Sequence, residues 1–113
     1  MPNTAPEDPD FLRRSTRCLD DIQAALDDFD PDELEADHAA GVLKITFADG
    51  RHCVLNRQAA ASQIWLAEGA SAWHFAFDAE RDGWFDTKAR GELKAILGEV
   101  LTRKLGRTID LGD

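Results

Sequence analysis

Nine carboxylates, Asp20, Asp21, Asp27, Asp28, Asp30, Asp32, Glu33, Glu35 and Asp37, fall between Arg17 and Lys44 without a single lysine or arginine among them. Their oxygens are hard donors. They suit Ca, Mg, Mn or Fe ions and not selective zinc or copper binding. Residues three or four apart on a helix, or two apart on a strand, stand roughly 5 to 7 Å from each other, so each like-charge pair costs about 0.6 to 0.8 kcal/mol before salt screening. An acidic cluster is ordinarily just a solvated face. Nine acids with no base of their own accumulate strain that a multivalent cation or an Arg/Lys-rich protein surface would relieve. The chemistry expected is therefore a weak, exposed and poorly selective cation site, a basic partner, or both.

The remainder of the chain throws that window into relief. The sequence has 113 residues, 22 acids against 13 bases and a formal net charge of -9. Outside the window 13 acids meet 13 bases, so the whole excess belongs to one quarter of the chain. Its length fits a single domain spanning residues 1–113. The acidic balance argues against nucleic acid as a partner, because phosphate attraction supplies most non-specific affinity for it. Two cysteines, Cys18 and Cys53, are too few for a disulfide framework and fit a reducing compartment. No apolar run approaches the ~18 residues of a membrane span, and Met1-Pro2-Asn3-Thr4 lacks the features of a signal peptide. A cytoplasmic, monomeric protein without a membrane partner is expected.

Other constellations carry less. Asp28, Asp30 and Asp32 imitate the start of an EF-hand loop, but Glu33 stands where that loop needs glycine and Ala39 where it needs glutamate. Glu35 and His38 match the Glu-x-x-His of di-iron bundles, yet on a strand they face opposite ways. His52 beside Cys53 fails as a base and nucleophile for the same reason, and both cysteines read as buried structural residues. There is no P-loop, no dinucleotide fingerprint, and no nucleophile elbow around Ser15, Ser62 or Ser71. Trp65 is different. Strand alternation sets it opposite Ile64 and Leu66, away from the core, where an exposed tryptophan suits a binding hot spot or is covered by a loop. Gln63 shares its face, Asn56, Arg57 and Gln58 lie nearby as a polar rim, and His74 either joins that face or is solvated.

The elements that must position these groups follow from periodicity. Asp8-Pro9 reads as an N-cap with proline in the first turn, and Phe11, Ser15, Cys18, Ile22, Ala25 and Phe29, widened by Leu19 and Leu26, predict an amphipathic helix to about Asp28. At 100° per residue, Asp20 and Asp27 fall about 140 to 160° from Ile22, and Asp21 and Asp28 about 100 to 120° away on the other side. From Glu33 the period becomes two, with Leu34, Ala36 and His38 on one face. Leu43, Ile45 and Phe47 continue the alternation, and Asp49-Gly50 signals a two-residue hairpin. Strands follow to about Asn56, over Gln63 to Ala67, over Trp73 to Phe77 beyond a turn at Gly69, and over Trp84 to Asp86 beyond Asp82-Gly83. Leu93, Ile96, Leu97, Val100, Leu101 and Leu105 then draw a helical stripe that Gly106 stops. With no helix between strands, an α+β, two-layer α-β sandwich is expected. Its sheet has about six antiparallel strands, and the N- and C-terminal helices pack on one face.

Those segments resemble a known family. Asp49-Gly50, Cys53-Val54-Leu55-Asn56-Arg57-Gln58, Gln63-Ile64-Trp65-Leu66-Ala67, His74-Phe75 and Trp84-Phe85-Asp86 are similar to the frataxin family in its bacterial form, over a span from the first helix to Leu111. The resemblance implies a small protein of iron-sulfur cluster assembly. Such a protein binds iron (Fe2+ or Fe3+) weakly at its surface, engages the cysteine desulfurase and the scaffold protein, and regulates or supplies them. It maps the family's acidic ridge onto Asp27, Asp28, Asp30, Asp32 and Glu33, with Asp20 and Asp21 extending it, and the family's sheet-face contacts onto Asn56, Gln58, Gln63 and Trp65. Gln23 and Ala24 stand where members often carry paired glutamates. The competing reading is ferroxidase-like oxidation or storage of iron at the same carboxylates, for which no bridging Glu and His set is evident.

Overall fold

A computed structural model describes residues 9–112. The expected cap at Asp8 lies outside the described residues. Helix α1 (Pro9–Leu26) is followed by strands β1 (Leu34–Ala39), β2 (Val42–Phe47), β3 (His52–Gln58), β4 (Gln63–Glu68), β5 (Ser71–Asp78) and β6 (Gly83–Asp86), and by helix α2 (Leu93–Leu105). The strands form one antiparallel sheet in chain order, β1 to β6. Short connections make such a meander the direct solution for consecutive strands.

Register decides which face is which. Ile45 lies opposite Cys53, Leu55 opposite Leu66 and Ile64 opposite Phe75, so these alternate residues stack on a single face and are fully buried. The apolar stripes of both helices cover that face. Phe11, Cys18, Leu19, Ile22 and Leu26 of α1 join Leu93, Ile96, Leu97 and Leu101 of α2 in the same cluster. Trp84 ties the layers together by edge-on contacts with Phe11 at 5.9 Å and Phe77 at 5.4 Å between ring centroids. The two-layer sandwich expected from the sequence is therefore the fold.

Two local expectations are corrected. The β2–β3 loop holds three residues, Ala48, Asp49 and Gly50, because Gly50 N–H donates to the Phe47 carbonyl at 2.9 Å while Phe47 N–H reaches Arg51 at 2.8 Å. Gly50 takes φ +83 to close it, which places the left-handed residue at the third loop position and makes a bulged hairpin instead of a two-residue one. Arg57 does not rim the Trp65 face. Alternation puts it on the helix side with Cys53 and Leu55, and its guanidinium donates to Thr16 Oγ1 at 2.9 Å.

The β6–α2 connection is held by one carboxylate. Asp86, 5% exposed, accepts from the backbone N–H groups of His74, Lys88 and Arg90 and from Nε and Nη2 of Arg90. The Arg90 bonds come first among the causes that hold its pKa down at about 2, against the opposing effect of burial. Glu92 then caps α2 by accepting from Lys94 N–H at 3.0 Å and Ala95 N–H at 3.2 Å, and Gly106 ends the helix in the left-handed conformation at φ 73.

Candidate functional site: an acidic edge and an open sheet face

The acidic window folds into the end of α1, the α1–β1 loop and β1, which is an edge strand of the sheet. Asp20 and Asp21 are exposed on the last turns of α1, Asp27 and Asp28 follow its end, and Asp30 and Asp32 are exposed in the loop. Helix α1 stops at Leu26 because the chain turns there, with Phe29 N–H returning to the Leu26 carbonyl at 3.0 Å. The loop is shaped by its own acids. Asp30 Oδ1 accepts from Asp32 N–H at 2.9 Å, and the Asp30 carbonyl accepts from Glu33 N–H at 2.8 Å. Glu35 and Asp37 project from β1 on the face away from the helices, and Asp37 is the register partner of Lys44.

Two of the nine acids find a partner. Arg107, beyond the end of α2, grips Glu33 with both arms at 2.8 and 3.1 Å and lies 5.4 Å from the Phe29 ring centroid. His38, its side chain only 14% exposed, places Nδ1 3.2 Å from Asp20 Oδ1. The other seven form no ion pair among the described residues. Glu33 is thus paired, whereas Asp27, Asp28, Asp30 and Asp32 face solvent without a cationic partner among the described residues. Asp21 faces away from this loop and contributes to a cleft on the other side of α1. Among the described residues, no three His, Cys, Asp or Glu side chains converge as ligands of one ion. The donor chemistry suits a hard cation, but the geometry offers a field of separate carboxylates and no preformed cage. Gln23, which stands where the family resemblance implies glutamate, donates from Nε2 to the Ala36 carbonyl at 3.1 Å and so fastens α1 to β1.

The second surface is the outer face of the sheet. Asn56 is the register partner of Trp65 and Gln58 of Gln63, which brings all four predicted contact residues into one patch. Trp65 is half-buried, not by a loop but by His74, which stacks on it at 4.1 Å with the planes 10° apart. Its indole N–H donates to Gln63 Oε1 at 2.8 Å, so the ring is fixed by a hydrogen bond as well as by the stack. The two-residue turn at Gly69 fixes this pairing, since Glu68 opposite Ser71 sets Trp65 opposite His74. Both cysteines are buried and unbridged, and burial pushes each thiol up to about 12, which removes them as nucleophiles.

The frataxin-like domain family matches residues 4–107. The chain belongs to the frataxin family. A frataxin relative from Thioalkalivibrio sulfidiphilus, named iron-sulfur cluster assembly protein CyaY, is 38% identical over 105 residues, covering 92% of this chain and 98% of its own. The solved frataxin of Psychromonas ingrahamii superimposes with a TM-score of 0.84 at 18% identity, covering 96% of this chain and all of that one. The trimeric frataxin of the yeast Saccharomyces cerevisiae, solved complexed with ferrous, gives a TM-score of 0.60 at 21% identity over 95% of this chain and 92% of that one. At these identities the two solved frataxins establish the fold. No helix among the described residues is long and apolar enough to cross a membrane.

Proposed function

We propose that this frataxin serves iron-sulfur cluster assembly in the cytoplasm as a non-enzymatic binding protein. Its acidic edge holds Fe2+ or Fe3+ weakly and docks on a basic surface of the cysteine desulfurase, while the Trp65 face meets the scaffold protein. The observation that carries the reading is the set of uncompensated carboxylates from Asp27 to Asp32. They stand on one loop at the centre of the nine-acid window, outside which 13 acids meet 13 bases. The names of its CyaY relatives and the ferrous complex of yeast frataxin support it. Such a field attracts cations and basic surfaces without fixing a coordination geometry, and other divalent ions compete. The outer face adds a stacked, hydrogen-bonded aromatic with amide groups around it, the composition of a binding hot spot.

The test is binding of the desulfurase and of Fe2+, kept anaerobic, to the wild type and to a variant carrying Asp27, Asp28, Asp30 and Asp32 as the neutral amides. Affinity for the desulfurase should fall about tenfold or more and its salt dependence should flatten. Unchanged binding rejects the electrostatic mechanism. Residue-resolved NMR during the Fe2+ titration should show line broadening confined to residues 20–37; its absence leaves a plain acidic interaction module. Trp65→Ala should weaken scaffold binding while leaving Fe2+ titration unaltered.

A further inference from the structure

The chain has nine arginines, of which six are paired with carboxylates while Arg57 donates to Thr16. Arg14 and Arg17 are the exceptions. Neither forms an ion pair or side-chain hydrogen bond among the described residues, in a protein whose acids exceed its bases by nine. Both line one cleft of about 450 Å³ between the first half of α1, the β5–β6 turn and the start of α2. It lies apart from the loop of Asp27 to Asp32 and from the outer face of the sheet.

The lining is chemically divided. The Arg14 guanidinium sits 4.5 Å above the Phe77 ring centroid, so a positive charge is fixed against an aromatic wall that Trp84 extends. Asp21 and Asp82 belong to the same lining and are unpaired among the described residues. Glu92 is also there, but its oxygens already accept the Lys94 and Ala95 amides. Arg13 is held by Asp10 at 2.7 Å. What is left without a hydrogen-bonding or ionic partner among the described residues is a pair of guanidinium groups, one of them laid on Phe77, and a pair of carboxylates. A bare anion meets only part of this set: Arg13, Arg14, Arg17 and Lys94 of the lining attract it, but Asp21 and Asp82 are acceptors to which it offers no donor. A molecule with an anionic group at one end and hydrogen-bond donors elsewhere meets all of it. Guanidinium groups favour phosphate, which they bind through paired N–H donors.

We propose that this cleft binds a small phosphate ester, with Arg14 and Arg17 taking the phosphate and Asp21 and Asp82 accepting from its hydroxyl or amino groups. The size falls in the range of small-molecule pockets, about 300 to 1,000 Å³. The probes are AMP, adenosine and inorganic phosphate, each titrated into the full-length protein and followed by NMR of the Trp84 indole and of the arginine side chains. AMP should produce saturable shifts around the cleft and bind more tightly than either adenosine or phosphate. In Arg14→Gln/Arg17→Gln, AMP affinity should fall about tenfold or more, with the amide spectrum otherwise preserved and Arg51→Gln unaffected. Phosphate binding as tightly as AMP overturns the ester. Absence of saturable shifts at millimolar AMP, or equal affinity in the double variant, overturns the site.

Discussion

Asp86 and the acids between Asp27 and Asp32 are the same functional group placed in opposite surroundings. Asp86 is buried, accepts from three backbone N–H groups and is clasped by Arg90 at 2.8 and 3.0 Å. Asp27, Asp28 and Asp32 are exposed and receive no hydrogen bond or ion pair from any described residue. In the first region a carboxylate organises a loop from within, adding side-chain bonds to the backbone ones that Asp86 and Ala89 N–H make across it. In the second, like charges are crowded and only Asp30, which accepts from Asp32 N–H, is used by the fold. The difference separates carboxylates that build this protein from those it leaves available to something else.

The comparison breaks most visibly at Asp86. Asp86→Asn keeps the size but removes the charge and turns an NH2 toward Arg90, leaving buried donors unsatisfied; a loss of about 2 to 4 kcal/mol is expected in urea unfolding. Added salt should not restore it, because the group is shielded from solvent ions. The same carboxylate sets an acid limit. Its pKa is depressed from 3.8 to about 2, so its contribution is complete above the unfolded value and is lost as pH falls through the folded one. Roughly 2 kcal/mol should therefore disappear between about pH 4 and pH 2. The measurement is stability against pH in wild type and Asp86→Asn; parallel curves would reject the assignment.

The acidic loop should answer with the opposite sign. Neutralising Asp27, Asp28, Asp30 and Asp32 to amides removes repulsion and breaks no bond between that loop and the core, so the fold should gain about 1 kcal/mol at low ionic strength. At about 0.5 M salt the gain should vanish by screening. Thermal unfolding of the quadruple variant at both ionic strengths checks this, and a destabilised variant would mean that these acids serve the fold after all.

The core side of this contrast was written in local patterns. The period-two runs through Leu43, Ile45 and Phe47 or Ile64 and Leu66, and the stripes of α1 and α2, each report a face directly, so the sandwich and its buried residues follow without long-range information. The Trp65 patch was legible in part, since alternation set Gln63 beside Trp65, while Asn56 and Gln58 entered as sheet-face contacts through the family resemblance and only the β3–β4 register brings them opposite. The exact loop at Gly50 was not, since Asp-Gly serves both two- and three-residue hairpins. Partners that arrive from a distance were also hidden. Arg107 reaches Glu33 across 74 residues, and nothing near either position announces it. Arg57 was misassigned because its neighbours in sequence, Asn56 and Gln58, point the other way.

Glu33 is where the two regions meet, a ridge acid held as Asp86 is held but in solvent. The pair is half exposed, so its removal should scarcely shift the unfolding midpoint. Its effect belongs to the cation field. Arg107→Gln deletes a positive charge from the edge, and Fe2+ or Co2+ should bind about 1.5- to 2-fold more tightly at low salt. Glu33→Gln should weaken binding by a similar factor. The decisive measurement is the double variant, in which the two charge changes cancel. If the edge acts as a field, cation affinity returns to that of the wild type. If Glu33 instead donates an oxygen to the ion, the double variant stays as weak as Glu33→Gln, and Arg107 must then yield its grip whenever a cation is bound.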